Sequence, residues 1–225
     1  MLHRNLKSKL FRTIASLTVA GMVLAGVATI TAFAASSPQA VRADGITPPP
    51  LPPGMAPVPA GNKLFLGTHA VGTQNYVCKP SGAGVAYVLF TPQATLFSED
   101  GGQVITHYNS PNPFEPNTDP KVVAPEGTIR ATWQAKDTSK VWAKVHQPNG
   151  AVTVDQEAIA WLLLDAVGHQ NGPTGGDKLA KTTFVQRLNT TGGLAPSTGC
   201  SSLTDVGNKA FVPYTADYFF YQPTK

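Results

Sequence analysis

Cysteine is scarce in this sequence. Cys78 and Cys200 are the only two among 225 residues, and they form no C-x-x-C redox pair. Histidine spacing is no more suggestive: His69, His107, His146 and His169 never fall at H-x-H or H-x-x-x-H, so no short-range zinc or copper motif is written. A G-x-S-x-G nucleophile elbow is missing, and so is the Gly-Lys-Ser/Thr ending of a phosphate loop. Charge of one sign is missing too. Four of the 17 basic residues, Arg4, Lys7, Lys9 and Arg12, precede residue 13, and all 13 acids follow it, leaving 13 of each sign beyond that point. The pI near 9.1 therefore reflects the front of the chain. Without a basic footprint to release counterions, nucleic acid is excluded as a partner.

The front reads as an address. After the basic residues comes "TIASLTVAGMVLAGVATITAFA", 22 residues without a charge, ending in Ala32-Phe33-Ala34. A basic region, an apolar run and a small-x-small site make a secretory signal over 1–34. A membrane anchor of that length is the rival, but the run is rich in Ala, Thr, Gly and Ser, so no membrane span is expected after cleavage. A proline-rich linker follows over 35–62, extended and semi-rigid. The remaining 63–225 is long enough for a single domain.

That domain reads as β. "GTIRATWQ" (127–134) alternates Ile129, Ala131 and Trp133 against Thr128, Arg130 and Thr132. "KVWAKVH" (140–146) alternates Val141, Ala143 and Val145 against Lys140, Trp142, Lys144 and His146. Period two marks half-buried strands, and the short Asp137 segment between them marks a hairpin. Further strand candidates are "LFLGTHAVGTQNYVC", "GVAYVLF", "ATLFS", "QVITHY", "TTFVQRL" and "YTADYFFYQ". "QEAIAWLLLDAVG" (156–168) fits a helical stripe or a strand buried on both faces; its β neighbours favour the strand. The expected fold class is all-β, a β-sandwich or barrel of eight or more short, mostly antiparallel strands.

Export places the cysteines where disulfides persist. A Cys78–Cys200 bond closes a loop of about 120 residues, for which chain entropy gives roughly 4 to 5 kcal/mol as an upper guide. A reactive thiol needs a nearby cation. Lys79 follows Cys78, but neighbouring strand residues point to opposite faces. Two histidines, His69 and His107, fall on different strand candidates that a sheet can bring together. A copper sugar oxygenase needs a histidine at its mature N-terminus, where this chain has Ala35. Asp155 and Glu157 are a close acid pair, but a glycosidase needs carboxylates about 5–10 Å apart across a cleft. "GAGVAY" (82–87) opens like a dinucleotide fingerprint and fails at Tyr87. "GHQNGPTGGDKLAK" (168–181) is a long glycine-rich loop suited to binding. "NTT" (189–191) is a glycosylation acceptor in a eukaryotic secretory host. Trp142 shares a strand face with Lys140, Lys144 and His146, a place from which an exposed ring stacks on a sugar or packs on a partner.

Taken in order, "HAVGTQNYVC", "ATLFSEDGGQVITHY", "GTIRATWQAKDTSKVWAKV", "AIAWLLLDAV", "VQRLNTTGGLAPSTGC" and "VPYTADYFFY" resemble an uncharacterised domain-of-unknown-function family of secreted bacterial and fungal proteins. The resemblance spans about Leu64 to Tyr221. It implies an exported β-rich domain and supplies no catalytic residues. Some members carry a malate dehydrogenase label, which the failed fingerprint at Tyr87 does not support. The family pattern has a histidine after a short glycine turn and a tryptophan at the head of a hairpin, here His107 and Trp133, with Lys140 opening the second strand.

The resulting expectation is a secreted or cell-envelope β-domain with one disulfide, no cofactor and no metal. It binds an extracellular or cell-wall polysaccharide or protein through His107, Trp133, Lys140, Trp142 and the loop 168–178. The alternative is an extracellular hydrolase or metal-dependent enzyme using His69 or His107 with an acid.

Overall fold

The computed structural model describes residues 46–119 and 126–225, so the expected leader over 1–34 and its expected cut site lie outside the described residues. The alternating stretch forms the expected hairpin. β4 (Thr128–Ala135) and β5 (Lys140–Val145) pair antiparallel with Trp133 opposite Val141. Asp137 shapes their turn: its Oδ1 accepts the Ser139 amide at 3.0 Å and the Ser139 hydroxyl at 2.6 Å. A short carboxylate binding its own backbone two residues on is a standard turn device.

The other strands extend this hairpin on both sides. Upstream lie β1 (Asn62–Ser81), β2 (Gly84–Phe97) and β3 (Gln103–Asn112). Downstream lie β6 (Ala151–Val152), β7 (Trp161–Gln170), β8 (Phe184–Gly192) and β9 (Lys209–Pro223). The order around the sheet is β1-β2-β3-β4-β5-β7-β8-β9, every pair antiparallel, with β6 a short strip on the edge of β7. β9 pairs with β1 from Asn62↔Pro223 to Val77↔Lys209, so the sheet closes on itself. Closure removes the open edges a sandwich would keep. Of the two expected architectures, the protein adopts the eight-stranded barrel.

Two features departed from the sequence pattern. "GVAYVLF" and "ATLFS" are one strand, β2, that runs through Pro92. β3 pairs with β2 only from Ala94 onward, so the strand is unpaired on that side at the proline, where a missing N–H disrupts no β3 ladder bond. The ambiguous 156–168 stretch divides: β7 begins at Trp161. Its Leu162 and Leu164 pack inside the barrel, while Trp161 and Leu163 pack outside. A strand covered on both faces loses its alternation.

The outer cover is the proline-rich segment. Residues 46–61 carry no strand, yet Ile46, Leu51, Met55 and Val58 pack on Leu163, Leu188, Phe219 and Tyr221. The Ala56 amide donates to the Asn149 carbonyl at 2.9 Å. Loops close the barrel ends. At one end Leu179, fully buried, descends from the 171–183 loop. Its amide donates to Ser139 Oγ at 3.1 Å and the Lys178 amide to Asp137 Oδ2 at 2.8 Å. At the other end Ile159 enters the core, its amide on the Gly192 carbonyl at 2.9 Å.

Candidate functional site

The barrel wall sorts the candidate residues by strand parity. His107 and Trp133 point inward as a cross-strand pair, with ring centroids 4.4 Å apart and planes within 7°. The His107 Nδ1 is 2.9 Å from the Thr132 carbonyl. Tyr218 lies against both rings, and Phe220 meets Trp133 edge-on at 6.2 Å. Burial pushes the His107 imidazole down to about 3, because its charged form has lost water and gained no carboxylate. His107 is thus a neutral core residue.

Lys140 and Trp142 point outward, on the far side of the wall. The structure does not gather the four residues into one face. Trp142 is only 2% exposed. Its indole N–H donates to Ser110 Oγ at 2.9 Å, and Phe114 packs edge-on at 6.0 Å. That cover depends on Gly168: a Cβ there would sit 2.9 Å from the Phe114 ring and 2.4 Å from Asn112 Oδ1. Arg130 fastens the same loop through Glu115, with Nε–Oε2 at 2.9 Å and Nη2–Oε1 at 2.5 Å. The Arg130 guanidinium holds Glu115 down to about 2. Lys140 is half-buried at the start of β5, opposite Gln134 and Gln170. The 168–178 loop lies at the barrel end sealed by Leu179.

The histidines also separate. His69 is outward and half-exposed; its Nδ1 lies 2.9 Å from Asp217 Oδ1. Asn189 Nδ2 donates to the other Asp217 oxygen at 2.8 Å. Asp217 raises the His69 pKa by hydrogen bonding to the charged form. His146 makes a similar contact with Asp165 at 2.7 Å. His69 and His107 face opposite sides of the wall, so they share no site. Among the described residues no group of three or more His, Cys, Asp or Glu is placed to hold a metal ion. Asp155 has a turn role, accepting the Glu157 amide at 2.9 Å.

Cys78 and Cys200 are bonded, with Cα atoms 5.5 Å apart and a sequence separation of 122. The bond ties the β8–β9 connection to the end of β1, where the Gly207 amide donates to the Cys78 carbonyl at 3.0 Å. Near this clamp the β1–β2 hairpin runs on past β3. On its outer side, strands β1, β2, β3 and β9 line a groove of about 640 Å³. Phe90 and Phe211 are 66% and 62% exposed there, and Tyr108 adds a third ring. Asn75, Gln93 and Asn109 line it too, with Asn75 Nδ2 donating to Gln93 Oε1 at 3.4 Å and Asn109 Nδ2 to the Phe90 carbonyl at 3.2 Å, and so do Lys79 and Lys209. Among the described residues neither lysine is ion-paired. Sequence reading did not find this groove. Its only trace is the apolar "YVLF" beside a glycine turn, and nothing local tells such a run that its rings stay in water.

The chain matches the family described as "Protein of unknown function (DUF3455)" over residues 59–222. No curated protein and no solved structure matches it. Among the described residues no helix is long and apolar enough to cross a membrane.

Proposed function

We propose that this chain, which belongs to the DUF3455 family of proteins of unknown function, is an exported, non-enzymatic binding module whose ligand is an acidic polysaccharide held in the outer groove. Export is supported by the basic and apolar leader and by the disulfide, which persists in oxidising compartments. The observation that carries the binding reading is the exposure of Phe90 and Phe211 in one groove beside two unpaired lysines. Rings stack on sugar faces, amides meet hydroxyls, and the lysines match carboxylates along a uronic-acid chain. Affinity electrophoresis in gels containing neutral or uronic-acid polymers tests this. The acidic polymer retards the protein, and Phe90→Ala with Phe211→Ala lowers that affinity by about tenfold or more. Lys79→Ala weakens it less and flattens its salt dependence. Equal mobility in every gel, or retardation unchanged in the ring variant, overturns the reading.

The His69–Asp217 contact favours a hydrolase as the second reading, with His69 as the base oriented by its carboxylate. No hydroxyl among the described residues is hydrogen-bonded to His69 to serve as nucleophile. Ester hydrolysis by the purified protein that disappears in His69→Ala would replace the binding reading; hydrolysis that persists in that variant removes the histidine from the chemistry.

A further inference from the structure

Ring closure leaves part of β2 without a second neighbour. β3 pairs with β2 over Phe97 to Ala94 and then departs from it. The last contacts use side chains: the Asn109 amide donates to Thr91 Oγ1 at 2.9 Å, and Asn109 Nδ2 donates to the Phe90 carbonyl at 3.2 Å. From Leu89 back to Gly84, β2 is paired with β1 alone.

The register decides which main-chain groups face the open side. The Cys78 amide donates to the Asn208 carbonyl at 2.8 Å, and the Cys78 carbonyl accepts the Gly207 amide at 3.0 Å. Both main-chain groups of Cys78 thus point away from β2, so Cys78↔Tyr87 is a non-hydrogen-bonded pair. Alternation makes Val77↔Val88 and Lys79↔Ala86 the bonded pairs. Pro80, opposite Val85, has no N–H to give, which agrees. The N–H and C=O groups of Val85, Tyr87 and Leu89 therefore point to the open side. Among the described residues no hydrogen bond reaches them there.

An open edge invites pairing, and folds blunt it with lysine, proline or a bulge. Two other strand ends in this barrel are blunted in that way. β3 past Asn109 carries Pro111, and β9 before Tyr214 carries Lys209 and Pro213. On β2 the bulge at Phe90 and the proline at Pro92 both lie on the barrel side of the open stretch, so Gly84–Leu89 has neither. No charged residue lies between Lys79 and Glu99. Val88, Leu89 and Phe90 are all exposed.

This edge matches its own copy. A twofold axis at Tyr87 sets that residue opposite Tyr87 of the second copy and Val85 opposite its Leu89, so every open main-chain group meets a mate. On the outer face the same register sets Val88 against Ala86 and Phe90 against Gly84, large against small each time. A Cβ on Gly84 would meet nothing within 4 Å, so the space beside it is free for the ring. A strand without charge brings no like charges together across the axis.

We propose that β2 pairs antiparallel with β2 of a second copy through residues 84–90, giving a twofold dimer in which one sheet runs through both barrels. A small, mostly main-chain interface binds weakly, so the dimer forms reversibly in the micromolar range. Sedimentation velocity of the disulfide-bonded protein over a concentration series reads the equilibrium, and amide hydrogen exchange reads the register. The Tyr87 and Leu89 amides exchange fast in dilute solution and slowly in concentrated solution, whereas those of Ala86 and Val88, bonded to β1, do not change. Tyr87→Lys sets two positive charges face to face and raises the dimer dissociation constant by about tenfold or more. Leu89→Pro removes an N–H directed only at the second copy, raises the constant similarly, and carries the mutational test alone if the lysine variant does not fold. No polysaccharide is present, so the result is independent of the ligand of the outer groove. A protein that stays monomeric to about 1 mM overturns the proposal and leaves the edge to a foreign extended segment. A dimer whose Tyr87 and Leu89 amides exchange alike at every concentration, or one that the folded variants leave unweakened, overturns it as well.

Discussion

The inner and outer faces of the barrel wall treat the same residue types in opposite ways. Trp133 and Trp142 sit on adjacent strands of one hairpin, and both are buried. The inner ring is enclosed by His107, Tyr218 and Phe220 and leaves its N–H unpaired. The outer ring is covered by one loop and donates to Ser110. The histidines repeat the contrast: His107 inside has its pKa depressed, and His69 outside has its pKa raised. The chemistry of a residue here is set by strand parity more than by its type. The inside strips His107 of water and packs it closely, and the outside supplies carboxylates and loops.

The sharpest way to break this comparison is to truncate both tryptophans. Trp133→Ala loses about 3–5 kcal/mol in urea unfolding, because the closed barrel collapses poorly around the gap. Trp142→Ala loses less, since water and the Phe114 loop refill its place. Equal losses would show that the two faces are not different environments.

Acid gives the next largest effect. The unfolded imidazole takes a proton near pH 6.5, whereas folded His107 resists until about 3. The unfolded state therefore binds more protons, and stability falls as pH drops below 6.5, by about 2 kcal/mol between pH 8 and pH 5. His107→Gln flattens that stretch of the curve, measured by denaturant midpoints across pH. An unchanged curve would mean that the inner face is wetter than its packing implies.

Phe114→Ala is milder, costing about 0.5–1.5 kcal/mol for the lost edge contact. It sharpens the comparison optically: acrylamide quenches Trp142 more strongly, and Trp133 quenching does not change. The smallest effect is at His69. Asp217→Asn returns its pKa toward 6.5, read by NMR titration. The paired form stabilises the fold below pH 6.5 and loses that contribution as pH rises through the raised pKa. His69 is half-exposed, so solvent screening keeps the stability change small.

What the sequence revealed followed the same division. The 127–146 hairpin was legible because one of its faces meets apolar neighbours and the other polar ones. β7 was ambiguous because Leu163 and Leu164 are both buried, on opposite faces. The disulfide was legible because two cysteines allow one pairing. His107 and Trp133 stood out, but no local pattern says that one sheet face is the inside of a closed barrel. The groove draws on four strands and on positions from Asn75 to Phe211, so no window of sequence contains it.

The pairing of first strand with last makes β9 the keystone of the ring. His69 meets Asp217 across 148 positions of chain, so the arch cannot be completed until its final 15-residue strand is synthesised. Until then β1 and β8 each offer a bare row of amides and carbonyls to any neighbouring polypeptide. Chains that stop short of Lys209 are therefore the adhesive species of this protein, while the finished ring covers β1 and β8 and keeps such a border on the β2 overhang before Ala94.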